Sequence, residues 1–138
     1  METKAELSSR AIQFYVVSVK WASDLNFFKI ETAFFHRLVD EHFKNMVPER
    51  IAQLRADTEK LRTLDTEIHK AETKLGLQLR LIELMAEDII PEDVDSLAGE
   101  QVQLENLMAE IVSHFREVKK ELFSMVEGVF KSTGQTVS

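Results

Sequence analysis

FYVVSVKWASDLNFFKIETAFF, residues 14–35, can be read in two ways, and the choice between them decides the fold. Its opening, FYVVSV, is rich in β-branched and aromatic residues, which favour a strand, and Ser23 is a good N-cap for a helix that starts only there. Against this stands the register. Leu7, Ala11, Phe14, Ser18, Trp21, Leu25, Phe28, Thr32, Phe35, Val39, His42 and Met46 follow alternating steps of four and three, and only Ser18, Thr32 and His42 among them are polar. An apolar series with that period marks one face of a helix. Because it runs unbroken through FYVVSV, a single helix is expected over residues 3–46, about 65 Å long at 1.5 Å per residue.

Outward from this stretch, breakers are scarce: two Pro, Pro48 and Pro91, and four Gly. Pro48 suits the first turn of a second helix, expected over 48–88, with Leu54, Leu61, Leu64, Ile68, Ala71, Leu75, Leu79, Ile82 and Met85 on one stripe. Its other positions alternate in sign, as a solvated helix back does. Gly76 costs about 1 kcal/mol against Ala and is expected to be tolerated without a break. Pro91 ends this segment, and Asp95 or Ser96 can cap a third helix over 95–131. Its stripe is Leu97, Leu104, Leu107, Met108, Ile111, Phe115, Val118, Leu122, Met125 and Val129. The tail, 132–138, has nothing to pack and is expected to fray.

Short connections make neighbouring helices antiparallel, so the expectation is an all-α, three-helix, up-down-up bundle of long helices in one domain, 1–131. In shape this resembles spectrin-like repeats, which also place a Trp in the first helix, here Trp21.

Seventeen Lys and Arg against twenty-four Asp and Glu give a formal charge of −7, which disfavours nucleic acid and anionic lipid as partners. The N-terminus carries Glu2 and Glu6 where an export signal needs positive charge, and no run of about 20 apolar residues occurs. The chain has no Cys, which excludes disulfides and thiolate chemistry and is compatible with a reducing compartment, so a cytoplasmic location is expected.

Eight of the eleven aromatic residues fall before Pro48. Neighbours on a helix point about 100° apart, so Phe28 and Phe35 belong to the core stripe while Phe27 and Phe34 stand beside it. Nineteen of the thirty-three positions from Ala11 to Phe43 are apolar, more than a half-exposed helix needs. The helix is either wedged between the other two or covered by another molecule. The second reading makes Phe27, Ile30 and Phe34, rimmed by Lys20 and Arg37, a homodimer interface that joins two bundles into a six-helix assembly.

Ferritin-like metal sites use Glu-x-x-His pairs, and none precedes His36, His42, His69 or His114. One-turn pairs do occur: His36 with Asp40, Asp65 with His69, Glu110 with His114. Folding back would bring Glu31, Asp65, His69, Glu110 and His114 to a similar height, the only basis for an alternative reading as a metal-binding helical-bundle enzyme. The register turns His69 outward and His114 towards the seam, so no metal and no other cofactor is expected. Neither a phosphate loop nor a nucleophile with its base is present. The favoured reading is therefore a non-enzymatic interaction or scaffold protein.

Between Arg80 and Arg116 there are nine acids and neither Lys nor Arg. Glu87, Asp88, Glu92, Asp93 and Asp95 concentrate at the second connection and form a candidate contact surface for a basic protein partner.

Overall fold

The computed structural model describes residues 7–43 and 48–132. They form α1 (Ser9–Phe43), α2 (Pro48–Ala86) and α3 (Val94–Ser132), each packed against the other two, with no strand among the described residues. FYVVSV is helical throughout, so the register prevails over local propensity. None of the described helices is long and apolar enough to cross a membrane.

The directions follow from the contacts. Lys29 meets Glu72 and, one heptad later, His36 meets Asp65, so α1 and α2 run in opposite senses. Lys60 meets Glu121 while Gln78 meets Gln101, so α2 and α3 are also antiparallel. Between α1 and α3, Ser8 meets Glu92, Ser18 meets Gln101 and Phe28 meets Phe115, all in the same order, so these two are parallel. The bundle is up-down-up, as expected.

Four boundaries differ from the sequence reading, one of them the end of the third helix, which takes in Ser132, the first residue of the expected tail. The first helix begins at Ser9 rather than residue 3, because Ser8 is its cap: Ser8 Oγ accepts the N–H of Ala11 at 3.1 Å. The second stops at Ala86, two residues early, in a Schellman turn. Asp88 stands there in the left-handed conformation, φ 60°, with its N–H bonded to the Met85 carbonyl and that of Ile89 to the Leu84 carbonyl. The third starts at Val94 and is capped by Asp93, whose Oδ1 accepts the N–H of Ser96 at 3.1 Å, rather than by Asp95 or Ser96 themselves. Residues 3–6, 44–46 and 133–138 of the expected helices and tail lie outside the described residues. Gly76 interrupts nothing, since α2 runs through it.

The buried residues of α2 are Leu54, Asp57, Leu61, Leu64, Ile68, Ala71, Leu75, Gln78, Ile82 and Met85, in strict steps of three and four. Asp57 and Gln78 thus occupy core positions that an apolar count passes over; Leu79, assigned to the stripe, packs beside it and is only partly buried. On α3, Gln101 does the same between Leu97 and Leu104. The core of Leu25, Phe28, Phe35, Leu61, Leu64, Ile68, Leu104, Ile111, Phe115 and Leu122 holds the middle of the bundle. Burying each such side chain contributes about 1.5–3 kcal/mol, and this fixes α1 with one face inward.

Candidate interaction surface

The inward face of α1 is closed by rings from α3. Phe28 and Phe35 lie 4.8 and 5.6 Å from Phe115, and Phe35 lies edge-on to Phe123 at 6.1 Å. Offset and edge-to-face pairs at these distances add about 0.5–1.5 kcal/mol each beyond area burial. Phe28 and Phe35 are buried, as their place in the stripe requires.

Phe27 and Phe34 divide themselves between two surroundings. One edge of Phe27 touches Phe28 and Phe115, and Phe34 touches Phe35, yet Phe27 remains 53% and Phe34 40% exposed. Ile30, between them, is 60% exposed. Arg37 is exposed, and Lys20 reaches one turn forward to Asp24 at 3.4 Å. The five residues singled out from the sequence therefore share the outer side of α1.

The same side carries three residues the sequence reading missed. Ile12, Val16 and Val19 are 48, 60 and 45% exposed. Val16 and Val19 belong to FYVVSV, whose β-branched residues signal a strand before they signal a helical face, and Ile12 precedes it by one turn of the same row. Ser23, exposed, stands between the two halves of this row. Ile30 lies about 200° around the helix from Phe28, and Ser23 the same from Leu25. The α1 helix thus has an apolar face directed at its neighbours and a second directed away from them.

Two of the histidines, His36 and His114, pair across helices instead of along them. His36 Nε2 lies 2.6 Å from Asp65 Oδ2, and His114 Nδ1 lies 2.7 Å from Glu67 Oε1. These contacts stand where the one-turn pairs His36–Asp40, Asp65–His69 and Glu110–His114 were expected. The hydrogen bond that His114 donates to Glu67 raises the His114 pKa, opposed by partial burial and helped by the nearby carboxylates. His69 and Glu110 are exposed, Glu31 is half-buried, and among the described residues no group of three or more His, Asp or Glu is arranged to hold a metal ion.

At the acidic pole, three of the five acids have intramolecular tasks. Asp88 occupies the left-handed position that ends α2, where Asp is one of the few residues besides Gly to settle. Glu92 accepts the backbone N–H of Ser8 at 2.9 Å, and Asp93 caps α3. Glu87 and Asp95 are exposed.

One further titratable group is buried. Asp57 is 1% exposed; its Oδ1 accepts from Gln53 Nε2 at 2.9 Å, while Oδ2 has no protein partner. Burial pushes its carboxyl pKa up, Gln53 pulls it down, and the neighbouring Glu121 raises it further. It underlies a cleft of about 470 Å³ between α2 and α3, lined by Arg50, Lys120, Glu121, Ser124 and Met125.

No protein-family model matches this chain, and no curated protein or solved structure matches it either.

Proposed function

We propose that this chain is a non-enzymatic interaction or scaffold module of the cytoplasm that acts by self-association through the outer face of α1. One observation carries this reading: six large apolar side chains, Ile12, Val16, Val19, Phe27, Ile30 and Phe34, stand 40 to 60% exposed in a row on a helix whose other face already fills the core. Soluble monomers rarely display a contiguous apolar surface of this extent. Phe27, Ile30 and Phe34 are the anchors, with Lys20 and Arg37 at the rim, and two bundles joined there make a six-helix dimer. Glu87 and Asp95 provide a secondary contact for a basic protein at the end of the bundle where the second connection meets the start of α1. The test is the molar mass of the protein by light scattering over a wide concentration range. A dimer is expected, and a monomer at the highest concentration would overturn the proposal.

A further inference from the structure

The outward row on α1 is symmetric about Ser23. Val19 and Phe27 lie four residues to either side of it, Val16 and Ile30 seven, Ile12 and Phe34 eleven. The row therefore repeats every eleven residues, from Ile12 to Ser23 to Phe34, from Val16 to Phe27 and from Val19 to Ile30. An eleven-residue repeat advances about 3.67 residues per turn, close to the helix's own 3.6, so the row runs nearly straight for about 33 Å along the outer side. The inward face keeps the seven-residue repeat of the core.

The halves of the row differ in size. Before Ser23 stand Ile12, Val16 and Val19; after it stand Phe27, Ile30 and Phe34. From this we infer that the occupant of the face is a second copy of the chain, its α1 lying antiparallel to the first with Ser23 on the two-fold axis. The inference rests on the self-association proposed above and specifies its geometry. In this arrangement Phe27 meets Val19, Ile30 meets Val16 and Phe34 meets Ile12. Every large side chain faces a smaller one, so the two helices keep an even separation as close packing requires. A parallel pairing would set Phe27 on Phe27 and Phe34 on Phe34 at one end and Val16 on Val16 at the other, forcing the helices to splay.

Charge and extent agree with the antiparallel arrangement. Lys20 and Asp24 flank the row on the same margin, 3.4 Å apart within a protomer. The two-fold brings each Lys20 within about 3 Å, measured along the helix axis, of the level of the partner's Asp24, so two cross-chain ion pairs can form alongside the two internal pairs, with opposite charges facing each other across the seam. A seam of six turns on each protomer, containing two Phe, approaches the roughly 800 Å² per partner of a stable interface.

Because the chain has no Cys, an introduced thiol is unique and reports its own neighbours. The experiment is air oxidation of the full chain carrying single substitutions, with disulfide-linked dimer read on a non-reducing gel. Ser23→Cys is expected to cross-link. Val19→Cys alone is expected not to, since the two copies of residue 19 then lie about 12 Å apart along the helix axis, beyond disulfide reach. A mixture of Val16→Cys and Ile30→Cys chains is expected to give at least about tenfold more cross-linked product than either alone, and a mixture of Val19→Cys and Phe27→Cys repeats the test at a second pair. Efficient cross-linking of Val19→Cys to itself, or no cross-linking at Ser23→Cys in a protein that light scattering finds dimeric, would overturn the antiparallel arrangement and leave self-association standing. A monomeric wild-type protein would overturn both.

Discussion

Gln78 and Gln101 face each other inside the bundle, the Nε2 of the first 3.0 Å from the Oε1 of the second. The same Gln78 nitrogen donates to the Leu97 carbonyl, Ser18 Oγ approaches Gln101 Oε1 at 3.5 Å, and Gln101 Nε2 donates to the Phe14 carbonyl at 3.4 Å. One polar layer thus ties all three helices at a single level, and sliding any helix by a turn would bury these groups unpaired.

Gln101→Leu is accordingly expected to destabilise the fold by about 1–3 kcal/mol, the cost of leaving buried partners unmet. Adding Gln78→Leu is expected to recover most of that loss, because both sides of the pair are then apolar. Urea unfolding of the single and double variants decides the matter. Equal losses in both would mean the layer does not act as a unit.

Asp57 has the opposite standing. Its carboxyl pKa is raised by burial, so the folded state resists ionisation and its stability falls as pH rises from the ordinary value of 3.8 through the folded one. Asp57→Asn is expected to raise stability by about 1 kcal/mol at neutral pH and to change it little at a pH below the ordinary carboxylate value. Thermal unfolding as a function of pH reads both; a loss of stability at neutral pH would show that the charge has a partner.

The His114–Glu67 contact gives a different pH dependence. The raised pKa of His114 means that the pair stabilises the fold fully below about pH 6.5, the unperturbed value, and ceases to do so as pH rises through the folded one. Glu67→Gln is expected to lower the melting temperature at about pH 5.5 and to have less effect at about pH 8. An effect independent of pH would assign the contact to packing alone.

At the second connection, charge and structure can be separated. Asp93→Ala is expected to cost about 1 kcal/mol as a lost N-cap, and Glu92→Ala a similar amount through the N–H of Ser8. Glu87→Lys is expected to leave the melting temperature nearly unchanged, which makes it the clean probe of any basic partner, whereas Asp95→Lys puts a positive charge in the first turn of α3 and is expected to cost about 0.3–1 kcal/mol. Differential scanning calorimetry of the four variants checks this, and equal losses throughout would remove the distinction.

The inner face of α1 was legible because its seven-residue register is long enough to outweigh the strand propensity of FYVVSV. The register also runs through Asp57, Gln78 and Gln101, but there the polarity of the residue hid the position. The helix ends were harder to place: Asp93, Asp95 and Ser96 are all good caps, and only the backbone geometry selects Asp93. Asp88 gave no signal of a left-handed residue. Phe27, Ile30 and Phe34 stand out by the excess breadth of the apolar face, whereas Ile12, Val16 and Val19 do not, because β-branched residues beside FYVV read as strand propensity before they read as a helical face.

The central claim is that α1 has two apolar faces with separate tasks, one inside the bundle and one between copies. Light scattering combined with thermal unfolding tests it on two sets of variants. Phe28→Ala or Phe35→Ala is expected to destabilise the fold by about 3–5 kcal/mol through a core cavity. Phe27→Asp with Phe34→Asp is expected to give a folded protein of half the wild-type molar mass. A double Asp variant with the same mass as the wild type, whether both are dimers or both monomers, would contradict the account.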